Sequence, residues 1–148
     1  MSNEPPAEPK RPEPKITFTT ALLCQQVLKD YRGDLVSVVN IIDSIALERQ
    51  PEWVEFFALV IARSDSLEPF SADAELSMRY PSGKVVKLPS PEKLGFGTEL
   101  SVHIRRYSGS KLIIGLKLEL TELGNYAFIV SAYDSVAEIP LTVYARAD

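Results

Sequence analysis

The sequence predicts an all-β protein built as two packed antiparallel sheets. Three observations carry that reading: an apolar/polar period of two recurs along the chain, Gly/Pro turn signals fall between the periodic stretches, and helical spacing of apolar residues competes with it in one segment alone. Size and balance set the frame. At 148 residues, with 45% hydrophobic and 24% charged, the chain has the proportions of one ordinary globular domain.

Residues 1–15 stand apart from the rest. They hold five of the eleven prolines, three glutamates against three Lys/Arg, and only Met1 and Ala7 as apolar residues. Too little apolar surface is available there to offset the entropy of ordering, so the segment reads as a disordered, polyproline-like tail before a single sandwich domain at 16–148. Ile16–Cys24 is the first strand, and parity puts Ile16, Phe18, Leu22 and Cys24 on its core side. Leu35–Leu47 (LVSVVNIIDSIAL) is apolar on both parities, the mark of a strand covered on both faces. Trp53–Arg63 (WVEFFALVIAR) admits two readings. Trp53, Phe56, Phe57, Val60 and Ile61 fit helical spacing, and Pro51 with Glu52 and Glu55 suits a helix start; the β-branched and aromatic content favours a strand, with Trp53 in the core.

Downstream the alternation is cleaner. Inward rows are Ala74, Leu76, Met78 and Tyr80; Leu100, Val102 and Ile104; the even positions of 112–120 from Leu112 to Leu120; Tyr126, Phe128 and Val130; and Ile139, Leu141 and Val143. Tyr80-Pro81-Ser82-Gly83-Lys84 joins 72–80 to Val85–Leu88 as a hairpin, and Tyr133-Asp134-Ser135 joins the last two strands. Ser90-Pro91-Glu92-Lys93-Leu94-Gly95 has a capping serine, a first-turn proline, an early acid and a terminal glycine, which predicts one helical turn. Pro140 removes a ladder donor and assigns its strand to a sheet edge or a bulge. In LGNYAFIV, Tyr126 leads a strand two residues after Gly124. Immunoglobulin-like sandwiches place a corner tyrosine there, its hydroxyl bonded to upstream backbone, here expected near Leu120–Leu123, with Gly124 in a conformation closed to residues with a Cβ. The chain thus reads as an immunoglobulin-like two-sheet antiparallel sandwich of about 8–9 strands with at most one or two short helical turns.

Composition excludes several functional classes. The tail has no basic start leading into an apolar run of a secretory signal, no stretch approaches the roughly 20 apolar residues that span a bilayer, and Cys24 is the single cysteine. These features predict a cytoplasmic protein of bacterial type, without membrane association. Net charge is −4; Lys84, Lys87, Lys93, Arg105, Arg106 and Lys111 form one basic block at 84–111, with Tyr107 as its sole aromatic besides Phe96, which argues for a solvated face and against nucleic acid. His103, the one histidine, falls on the outward parity of 99–106 and lacks a second imidazole for zinc or for acid–base work. Asp65, Glu68 and Asp73 lack the rhythm of a calcium loop, and Gly95-Phe96-Gly97 lacks the lysine and third glycine of a phosphate cradle. The PxxP spacings at Pro6–Pro9 and Pro9–Pro12, beside Lys10-Arg11, read as part of a solubilising tail. No catalytic residue, cofactor or metal is assigned.

The order of motifs resembles a family of short bacterial β-sandwich proteins of unassigned function. The resemblance rests on Ala21-Leu22-Leu23-Cys24, on Gly33-Asp34-Leu35 running into Val36–Asp43, on the YPSGK hairpin, on Gly124-Asn125-Tyr126-Ala127-Phe128-Ile129-Val130 and on Pro140-Leu141-Thr142-Val143. It implies a sandwich without catalytic residues. Two functions are carried forward: a non-enzymatic module that binds another protein or a copy of itself through outward apolar residues, with Ile113, Ile129 and Tyr144 as the interaction face, and a carbohydrate- or small-ligand-binding module using the loop aromatics Tyr107 and Tyr133.

Overall fold

The computed structural model describes residues 14–30, 36–66, 70–89, 93–96 and 108–147. Its strands are β1 Ile16–Lys29, β2 Val36–Ile42, β3 Ser44–Leu47, β4 Glu52–Ser64, β5 Phe70–Asp73, β6 Glu75–Arg79, β7 Val85–Leu88, β8 Lys93–Phe96, β9 Ser108–Leu120, β10 Gly124–Ala132 and β11 Ser135–Ala145. None of the described residues is helical. One sheet has the order β2-β1-β4-β9 and is antiparallel throughout; the other has the order β3-β11-β10-β6-β7 and is antiparallel except for the β3–β11 pair. β5 and β8 form a small ribbon.

The two large sheets bury their facing sides against each other. Leu23, Phe56, Val60 and Leu116 of the first meet Leu76, Met78, Phe128 and Leu141 of the second in one cluster. Phe56 and Phe128 touch edge to face across the gap, with centroids 5.7 Å apart and planes at 89°, the geometry that brings a positive ring edge onto a negative face. The molecule is therefore a β-sandwich.

Residues 53–63 take the strand that their β-branched and aromatic content favours over a helix, with Phe56, Ala58, Val60 and Ala62 inward and Phe57, Leu59 and Ile61 on the other side. Other segments differ from their sequence-based reading, each for a physical reason. Trp53 points away from the core and is 61% exposed, because inward parity on β4 belongs to Val54, Phe56, Ala58, Val60 and Ala62. Residues 36–47 hold two strands, β2 in the first sheet and β3 in the second, and β2 is itself apolar on both faces, with Ile42 against the core and Val39 and Ile41 on the outer side. Residues 93–96 form β8, paired with β5 from Phe70↔Phe96 to Asp73↔Lys93; burial of Leu94 and Phe96 outweighs the local helix signals. The strand expected at 99–106 and tail residues 1–13 lie outside the described residues.

Pro140 sits in β11 between two neighbours, yet its missing donor costs nothing. Thr142 donates its amide to Asp43 O at 3.0 Å on the β3 side, so Pro140, two residues earlier, turns its nitrogen the same way, beyond the Thr142–Ala145 span that β3 pairs. The YPSGK hairpin forms with Tyr80 N to Lys84 O at 2.8 Å and Gly83 N to Tyr80 O at 2.9 Å, Gly83 taking φ +91°.

Candidate interaction face

One irregularity decides what the first sheet shows to the outside. β1 pairs with β4 in simple register through Phe18↔Ala62, then resumes at Thr20↔Ile61, leaving Thr19 as an inserted residue. This β-bulge shifts parity by one: Ile16 and Phe18 face inward before it, Ala21 and Leu23 after it. Leu22 and Cys24, which simple alternation places in the core, are on the outer face instead. Thr19 Oγ1 donates to the carbonyl of Ile61 at 3.3 Å and so steadies the interruption.

The register then aligns outward residues across three strands, with large apolar side chains on all three in the middle row. Cys24, Phe57 and Gly115 form one row, Leu22, Leu59 and Ile113 the next, and Thr20, Ile61 and Lys111 the third. Phe57 borders Gly115, its Cε1 3.5 Å from where a Cβ would stand, an ordinary contact distance. Leu59 is 4% exposed and Cys24 0%, although neither belongs to the core between the sheets. Toward the β2 edge the layer continues through Val39 to Ile41, which is 65% exposed. Scattered apolar side chains on a surface are ordinary, whereas contiguous ones mark interfaces.

Charges bound the apolar rows at either end of β4. Glu55 lies beside Lys117 at 3.7 Å, both largely exposed, and Arg63 stands at the opposite end. Burial pushes the pKa of the Cys24 thiol up, and the backbone hydrogen bond at Gln26 only partly offsets that.

The residues proposed from sequence as one sticky face are divided between the two sheets. Ile113 is on this face, half-buried, whereas Ile129 and Tyr144 belong to β10 and β11 of the other sheet. That second outer face is crossed by the Arg79–Glu138 and Glu75–Lys87 ion pairs, and Ile129 sits between Glu138 and Ser77. Alternation reveals that a residue points outward, but not from which sheet. Phe57 and Ile61, half-buried, and Leu59, buried, were missed as residues of the outward parity; the signal for them was the apolarity of both parities in WVEFFALVIAR.

Tyr133 occupies the β10–β11 turn at φ +50° and is 43% exposed. Its ring stacks on Phe70 (6.4 Å, 26°), which stacks on buried Phe96 (4.7 Å, 11°). Tyr107, its intended companion, and His103 and Glu68 lie outside the described residues; Asp65 accepts the Lys15 amide at 3.2 Å. From the basic block, Lys87 pairs with Glu75 on β6–β7, Lys84 lies 5.9 Å from the Tyr80 ring, and Lys111 is on β9 of the other sheet, so these three form no single patch. Among the described residues no group of three or more His, Cys, Asp or Glu could hold a metal ion, and no helix is long and apolar enough to cross a membrane.

Tyr126 is 1% exposed and acts as a clamp on the preceding loop. Its hydroxyl donates to Glu122 O at 2.8 Å and accepts from Glu122 N at 3.0 Å. Gly124 has φ +125°, and a Cβ there would stand 3.1 Å from Pro81 Cβ, so both conformation and space restrict the position to glycine.

No family model and no curated protein matches the chain. Among solved structures it is similar to a beta-glucosidase from Listeria innocua, with a TM-score of 0.51 and 10% identity over 92% of this chain and 16% of that one. Structures of that glucosidase with isofagomine and with glucose give 0.49 and 0.44 at 10% and 11% identity. The chain spans 16% of the glucosidase's length, and the likeness is one of fold.

Proposed function

We propose that this protein is a non-enzymatic, cytoplasmic interaction module that works through the outer face of the β2-β1-β4-β9 sheet. One observation supports the reading above others: apolar residues stand in register on adjacent strands of that face, with Ile41 and Trp53 largely exposed at its margins. The resemblance to short bacterial sandwich proteins without catalytic residues points the same way. Photo-crosslinking in cells tests it. Benzoylphenylalanine in place of Ile41 or Trp53 is expected to give discrete protein adducts, and in place of Val136, an equally exposed residue on the other sheet, none. Equal labelling at all three positions, or at none, removes the proposal.

The Tyr133–Phe70–Phe96 stack favours a second reading, a ligand platform for a sugar or other flat-faced small molecule at the β10–β11 turn. Its support is one exposed ring held rigid from beneath. Glycan binding lost on Tyr133→Ala would transfer the function there.

A further inference from the structure

We infer that the exposed ring of Tyr133 is the docking site of the chain's own N-terminal segment, through Pro9-Lys10-Arg11-Pro12. The inference rests on the reading of Tyr133 as a platform and names an occupant for it. Tyr133 is the first residue of the two-residue turn between β10 and β11, and its φ of +50° is one that such turns favour for glycine, asparagine or aspartate. A bulky aromatic serves the turn badly, but it serves presentation. The ring rests against Phe70, which rests on buried Phe96, and 43% of Tyr133 stays open. An aromatic surface held from beneath suits proline rings, because proline-rich segments lose little conformational freedom on docking.

The start of β1 brings that segment to this ring. The Ile16 carbonyl accepts a hydrogen bond from the Ser135 hydroxyl, two residues past Tyr133, and the Lys15 amide donates to Asp65 Oδ1 at 3.2 Å. Pro14 is half-buried. Residues 1–13, outside the described residues, are thus attached at the end of the sandwich that carries the Tyr133 turn. A chain spans at most about 3.6 Å per residue, so Pro12 reaches up to about 7 Å from Pro14 and Pro9 up to about 18 Å. Pro14 to Ile16 and Ser135 to Tyr133 are about 7 Å each by the same measure, which that reach covers. Charge agrees with this register: Asp134, exposed beside Tyr133, and Asp65 are acids at this end, and Lys10-Arg11 sets two positive charges between the prolines, with Glu8 and Glu13 outside them. Tethering does the rest. A short linker gives an effective concentration in the millimolar range, so even an intrinsic Kd of about 1 mM fills the ring for about half of the time. An outside ligand must displace the segment, so residues 9–12 set the threshold for binding at Tyr133.

NMR of the isotope-labelled full chain tests the inference. Nuclear Overhauser contacts are expected between the Tyr133 ring and the ring protons of Pro9 or Pro12, whose resonances the tyrosine face shifts upfield. These contacts are read in the wild type, so the test does not depend on the folding of a variant. Tyr133→Leu is expected to return the proline resonances to the positions they take in urea. Asp134→Lys is expected to reduce the wild-type shift by at least half, and Lys10→Glu with Arg11→Glu in that same chain to restore it. Absence of the contacts in the wild type, shifts that survive Tyr133→Leu, contacts from Pro5 or Pro6 instead, or a charge exchange without effect would overturn the inference. Shifts that grow with protein concentration assign the ring to the tail of a second copy and overturn it equally. Glycan binding that depends on Tyr133, in a chain without the proline contacts, removes the occupant and leaves the platform standing; a chain with neither removes both.

Discussion

Tyr126 links a loop to the core through a single hydroxyl that serves both backbone groups of Glu122. Removing it leaves an amide and a carbonyl unpaired at a partly buried site, so Tyr126→Phe is expected to lower unfolding free energy by about 1–3 kcal/mol in urea titrations, with no change in m-value. The same hydroxyl makes stability depend on alkali. Burial raises its pKa most, Glu122 and Tyr80 add to that, and the backbone bonds at Glu122 and Thr121 oppose it. The unfolded chain therefore gives up this proton first, at about pH 10. Stability is intact below that pH and falls as pH rises through the folded value; Tyr126→Phe is expected to lack this contribution, and equal alkaline slopes for variant and wild type would refute the assignment. At Gly124, alanine meets both a φ of +125° and Pro81, so Gly124→Ala is expected to cost at least about 1 kcal/mol. These two roles were legible in LGNYAFIV, because glycine and tyrosine declare their need at the level of the single residue.

At the scale of elements, the sequence shows where strands are more readily than which way they face. β6, β9, β10 and β11 were each announced by alternation and β4 by its β-branched and aromatic content, but the faces of β1 were not, because one inserted residue at Thr19 reverses every assignment after it. The hydroxyl bond from Thr19 to Ile61 has no counterpart in hydropathy, so the bulge left no signal in the pattern. Its product is testable through Cys24, which simple alternation places in the core and the register places beneath the outer layer, in line with Phe57 and Ile41. Burial with a raised pKa makes the thiol slow toward disulfide reagents. Native protein at about pH 8 is expected to react at least 100-fold more slowly than protein in denaturant. Replacing Ile41 or Phe57 with alanine should speed the native reaction, and Leu76→Ala in the core between the sheets should do so only through global unfolding. A fast native reaction would mean that the outer layer does not seal.

Over the whole molecule, the sandwich itself was legible, since periodicity, turns and core content all point to it. The candidate face was not. Its residues come from β1, β2, β4 and β9, and their adjacency depends on strand order, which no single-chain pattern encodes. Ile113 was identified as outward because its strand alternates cleanly; Ile129 and Tyr144 were grouped with it because sequence gives no hint that the two sheets face in opposite directions. Trp53 shows the reverse error, a large aromatic assigned to the core by type and sent to the surface by parity.

The last strand has a further consequence, one of time rather than of space. β11 closes onto the earliest parts of the chain: Ser135 bonds the carbonyl of Ile16 across 119 positions, and Arg146 pairs with Glu48 across 98. Contacts so distant in sequence close the largest loops and place folding in the slow, millisecond-to-second regime of non-local β proteins. On the ribosome, the second sheet lacks its β3–β10 bridge until β11 emerges. The apolar sides of both sheets therefore remain available to chaperones until β11 has been made.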